Sequence, residues 1–150
     1  MKNENLFTSE LRLFKRVLGD IESKKLLMED LTPVYEKSLR AVKDGGRLIL
    51  LDVPKESAFG FMYLLGKSLN TYDHDYLADA MPELPYPLAL ACSGVWHTTE
   101  EKINVLKSLG IEKFEYYQTL VKNPLYTNEE PEDVVEGYKS GGYVAIIAEK

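Results

Sequence analysis

The sequence predicts an α/β protein: an open mixed sheet with flanking helices and a C-terminal antiparallel strand pair. Three stretches predict it. In AVKDGGRLILLDV (41–53) a charged helix tail passes through a Gly-Gly turn into a strand, Arg47 to Val53. Its Leu48, Ile49, Leu50 and Leu51 are apolar without alternation, the pattern of a strand covered on both faces. HTTEEKINVLKSLGIEKFEYYQTL (97–120) reads as a capped helix closed by a glycine and followed by a strand. GGYVAIIAEK (141–150) adds a last apolar strand behind a second Gly-Gly pair. The long return before it suits a final strand that turns back antiparallel.

The elements follow in order. Residues 8–22 have helical spacing, with Thr8 or Ser9 as cap and Leu11, Phe14, Val17, Leu18 and Ile21 on one face. A short helical stretch, 23–30, carries Leu26 and Leu27. Thr32 as N-cap and Pro33 at the first helical position start the next helix. Its buried face is Val34, Tyr35, Leu39 and Val42, and Gly45-Gly46 ends it. After the strand, ESAFGFMYLLGKSL (56–69) is helical in period, although it carries Gly60 and Gly66. Residues 70–97 are irregular, with prolines at 82, 85 and 87 and aromatics at 72, 76, 86 and 96. Thr98 and Glu101 then form a capping box for a helix with Ile103, Leu106 and Leu109 on its face and Gly110 at its end. FEYYQTLV (114–121) is a strand, and Glu129, Glu130, Glu132, Asp133 and Glu136 make an acidic loop.

Composition narrows the function. The chain has 150 residues, which suits one domain with a sizeable core. Its net charge of −6 disfavours phosphate backbones, so no nucleic-acid partner is expected. Cys92 is the single cysteine, which excludes an intrachain disulfide and a cysteine-based zinc site. MKNENLFTSE has no apolar signal core, and the apolar runs fall short of the roughly 20 residues a spanning helix needs. A cytoplasmic location with no membrane partner is the expectation.

YEKSLRAVKDGGRLILLDV resembles the helix, Gly-Gly turn and fifth strand of class I S-adenosylmethionine (SAM) dependent methyltransferases. HTTEEKINVLKSLGIEKFEYYQTL is similar to that family's next helix and sixth strand. GGYVAIIAEK is similar to the seventh, which inserts antiparallel between the fifth and sixth. The resemblance covers 32–150 and implies a methyltransferase-like, truncated Rossmann-like domain. Residues 1–31 would be a helical extension and 56–97 a lid-like insertion. The family's glycine-rich SAM turn, GxGxG, has no counterpart here, since no two glycines are separated by a single intervening residue. The resemblance therefore implies the C-terminal, substrate-side half without the SAM-binding half. It transfers no cofactor ligand onto this sequence.

Several residues are candidates for chemistry. Asp52 ends its strand at the carboxyl edge, where open α/β sheets place ligands, and reads as a substrate or proton contact or as a turn acceptor before Pro54. Imidazole is the side chain best suited to proton transfer near neutral pH, so His97 is a candidate base, or else a residue that staples the helix start beside Trp96. Tyr63, Tyr72, His74 and Trp96 are candidate substrate contacts. Phe59, Phe61, Tyr63, Tyr72 and Tyr76 line an apolar pocket or fill core. Asp73-His74-Asp75 are consecutive and cannot easily converge on one ion, so no metal is expected. Cys92, in an apolar run, reads as a buried inert thiol.

Two functions follow. In the first, the chain is the substrate-side half of a SAM-dependent methyltransferase, binding no cofactor alone and acting with a SAM-binding partner chain on a small-molecule substrate. In the second, it is a non-enzymatic binding or regulatory module using its sheet edge and acidic loop. Both expect an uncovered strand edge to be masked by a partner protein, by a second copy in a homo-oligomer, or by the N-terminal helices.

Overall fold

The computed structural model describes residues 4–18, 30–69, 94–122 and 129–150. They form α1 (Glu4–Leu18), α2 (Leu31–Ala41), β1 (Arg47–Asp52), α3 (Ala58–Leu69), α4 (Thr99–Ser108), β2 (Lys113–Thr119), β3 (Val135–Glu136) and β4 (Tyr143–Glu149). The strands make one sheet in the order β1-β4-β2-β3. β4 is antiparallel to both long neighbours, with Ile146 opposite Leu50 on one side and Tyr116 on the other. β1 and β2 therefore run parallel to each other with β4 between them, the arrangement the resemblance implies. Tyr143 to Ala148 are all buried, which explains why this strand is apolar without alternation.

Strand pleat sorts the core into two layers. Leu48, Leu50, Phe114, Tyr116, Val144, Ile146 and Ala148 pack against Leu31, Tyr35 and Leu39 of α2 and Ile103 and Leu106 of α4. On the other face, Leu51, Tyr117, Tyr143 and Ala145 pack against Leu13 and Val17 of α1 and Phe59, Met62 and Tyr63 of α3. Helices thus cover both faces.

Several boundaries differ from the sequence reading. α1 begins at Glu4, so neither Thr8 nor Ser9 caps it. Ser9 is fully buried; its hydroxyl donates to the Asn5 carbonyl (2.9 Å) and accepts the Glu132 N–H (2.8 Å). Leu11 is 38% exposed, and Leu13, one turn-face away, is the buried anchor. Asp30, not Thr32, caps α2: its carboxylate accepts the Thr32 N–H at 3.1 Å, an acceptor as good as the hydroxyl two residues later. The stretch 23–29 lies outside the described residues. Thr98 and Glu101 form the expected capping box, and Gly110, at φ +91°, closes α4.

β1 is only half-buried from Leu48 to Leu51, less than its composition suggests. The Lys150 N–H donates to the Gly46 carbonyl at 2.9 Å, which sets the phase of the β1–β4 ladder. By alternation, the backbone groups of Leu48, Leu50 and Asp52 face β4, and those of Arg47, Ile49 and Leu51 face outward. Among the described residues no strand pairs with that outward edge. The opposite edge carries β3, a two-residue strand within the acidic stretch that the sequence gives no period to reveal.

Candidate functional site at the carboxyl end of β1

β1 and β2 point their carboxyl ends the same way, and Asp52 stands at one of them. Its carboxylate accepts the Val53 N–H at 2.7 Å and an ion-paired hydrogen bond from the Lys102 ammonium. Asp52 is 53% exposed and Lys102 only 5%, so the pair joins a wet carboxylate to a buried amine. Tyr35 of α2 lies beneath, fully buried, and its hydroxyl has no hydrogen-bond partner among the described residues. Burial, and secondarily the Asp52 charge, push the Tyr35 phenol above its ordinary range, so it stays protonated.

The turn after β1 is tied to the start of α4. The Lys55 N–H donates to the His97 carbonyl at 3.2 Å, and Glu56 Oε1 accepts the Thr99 N–H at 3.0 Å. Ser57 caps α3 by accepting the Gly60 N–H at 3.0 Å. A Cβ on Gly60 would fall 2.1 Å from the Pro54 carbonyl oxygen, so only glycine allows α3 to sit this close.

The other sequence candidates are placed as follows. His97 is partly buried; its Nδ1 lies 3.8 Å from the Glu101 carboxylate, and its Nε2 is enclosed without a hydrogen-bond partner among the described residues. The Thr98 backbone N–H holds the Glu101 carboxyl below its usual range. Tyr63 is 1% exposed and stacks on Trp96, centroids 5.4 Å apart, so both belong to a packed wall between α3 and the entry to α4. Phe59 is core, while Phe61 is 64% exposed. Tyr72, His74 and the other candidates between 70 and 93, Cys92 among them, lie outside the described residues.

Lys102 escaped the sequence reading. It stands with Thr99, Ile103 and Leu106 on the buried stripe of α4. A lysine inside an apolar stripe, in a chain with an aspartate at a strand end, is the signal that would have found it. In the acidic loop, Glu130 pairs with Lys122 and Asp133 with Arg12. Glu132 is buried and accepts the Val121 and Lys122 N–H groups at 2.7 and 3.2 Å, closing the turn where Leu120 takes φ +57°. Much of that loop's charge is engaged internally. Among the described residues no acidic, histidine or cysteine side chains group into a metal-binding arrangement, and no helix is long and apolar enough to cross a membrane.

No protein-family model matches the chain. It is 29% identical over 119 residues to an uncharacterized protein of Methanocaldococcus jannaschii, covering 78% of this chain and 47% of that relative. The structure is similar to the crystal structure of a SAM-dependent methyltransferase of Thermotoga maritima, described as a possible histamine N-methyltransferase. The TM-score is 0.60 and the identity 28%, over 82% of this chain and 50% of that one. The chain has a methyltransferase-like α/β fold and spans about half the length of the curated relative and of the solved structure it matches.

Proposed function

We propose that the chain supplies the substrate-side half of a SAM-dependent methyltransferase and acts with a SAM-binding partner chain. The observation that carries this reading is the outward edge of β1. An apolar strand, flanked by β4 on one side, presents on the other the backbone groups of Arg47, Ile49 and Leu51, with which no strand among the described residues pairs. The fold of the Thermotoga protein supports the methyltransferase part of the reading.

The described residues do not fit SAM. They offer no glycine-rich turn, and at the carboxyl edge Gly142 is packed so closely that a Cβ would meet the Phe59 ring at 2.5 Å. No step is therefore assigned to this chain's own binding of the cofactor. Its part is to orient a small nucleophile. Asp52 is fixed by Val53 and Lys102 and keeps an exposed side for a hydrogen bond. The description of the Thermotoga protein suggests a nitrogen nucleophile.

The test is methyl transfer. Tagged chain purified with its bound partner from the source cells is expected to methylate histamine from SAM, and Asp52→Ala to lower the rate about tenfold or more. Activity in the isolated chain, or none in the complex with any small amine, would overturn the reading. A partner that binds no SAM would favour the regulatory module instead.

A further inference from the structure

We propose that Lys102 sets the Asp52 site to accept an uncharged nitrogen or hydroxyl group rather than a cation. This rests on the methyltransferase reading and adds to it a charge preference.

A bare carboxylate at a strand end would favour a protonated amine. Asp52 is not bare. One oxygen is engaged by Val53 and the other by Lys102, which leaves spare lone pairs on the exposed side of a carboxylate whose charge is already matched. Lys102 cannot readily be displaced, because expelling its partner would strand an ammonium that is 5% exposed. An incoming cation must therefore add to the pair and meet the Lys102 charge, whereas a neutral N–H or O–H meets no such repulsion. Tyr35, fully buried and without a hydrogen-bond partner among the described residues, adds a protonated phenol and no charge.

The neighbouring elements bring other charged groups to this end of β1. Glu56 caps Thr99 from the turn, Glu101 caps Thr98 from α4, Lys55 is exposed, and His97 lies against Glu101. None of them makes a hydrogen bond to the Asp52 carboxylate; among the described residues Lys102 is the charged side chain that does. The preference matters chemically. Nitrogen is methylated through its lone pair, and a site that held the protonated form would hold the unreactive one.

The test uses imidazole alone as probe, because an imidazole ring changes charge between about pH 5 and about pH 8. The Val53 amide, which donates to Asp52, is the reporter in nitrogen-15 spectra of the full chain, corrected by the same titration without imidazole. Imidazole is expected to shift Val53 at the upper pH, with affinity falling about tenfold or more once the ring is protonated. Lys102→Met is expected to reverse that order. Asp52→Asn with Lys102→Met, which removes both charges of the pair, is expected to bring the ratio below about twofold, and it carries the test if Lys102→Met does not fold. Equal binding of both forms by the unaltered chain overturns the proposal, as does a ratio untouched in the variants or no shift at Val53. SAM binding by the partner complex is read without imidazole, so failure of the methyltransferase reading is seen separately.

Discussion

Trp96 stacks on Tyr63 with ring centroids 5.4 Å apart and planes 29° from parallel, fastening the segment that enters α4 to the middle of α3. Because Trp96 is the only tryptophan, its emission reports this contact. Tyr63→Ala removes a buried ring and is expected to cost about 3 kcal/mol in denaturant unfolding, with a red shift of native-state emission. Unchanged emission would mean that the stack does not shield Trp96.

The two sides of β1 make opposite predictions for proline. At Ile49 the backbone N–H faces outward, so Ile49→Pro is expected to leave the chain folded by circular dichroism, with a modestly lower Tm, and to abolish association with a partner. At Leu50 the N–H faces β4, and Leu50→Pro is expected to lose about 3 kcal/mol or to unfold the chain. Equal damage from both would show that the outward edge is not free.

Gly60 and Gly110 are constrained for different reasons. Gly60→Ala drives a Cβ into the Pro54 carbonyl, within 2.1 Å, and is expected to cost about 3 kcal/mol. Gly110 has open space around it but φ +91°, so Gly110→Ala is expected to cost only about 1 kcal/mol. Thermal unfolding of the two variants side by side checks the order.

Local signals made part of this molecule legible. Thr98, Glu101 and Gly110 interact within one helix, and the apolar run of β4 is its own evidence of burial. Asp52 stands out in the sequence because it ends a strand at the carboxyl edge, where open α/β sheets place ligands. What escaped was long-range or marginal. The Lys102–Asp52 pair spans 50 residues of chain. Asp30 and Thr32 are both good caps, and no local rule separates them. Leu13 rather than Leu11 is buried because α1 is gripped at Ser9 and Arg12 by residues 131–133, more than 100 positions away.

Acid should weaken the α4 cap. The folded-state pKa of Glu101 is lowered chiefly by the Thr98 N–H, so its carboxylate stabilises the fold above the unfolded-state value and loses that contribution as pH falls through the folded one. The side chain is half-exposed, and the effect is expected to be about 0.5 kcal/mol. Glu101→Gln is expected to be less stable than the parent at neutral pH, with the gap closing below about pH 4. A gap that persists at about pH 3 would assign the loss to something other than charge.

Equilibrium dialysis of labelled SAM tests the central claim most directly. The isolated chain and the complex purified through it are dialysed against the same ligand. The expected result is retention by the complex, near one SAM per chain, and none by the chain alone. Retention by the isolated chain, or by neither sample, would contradict a substrate-side half that works with a SAM-binding partner.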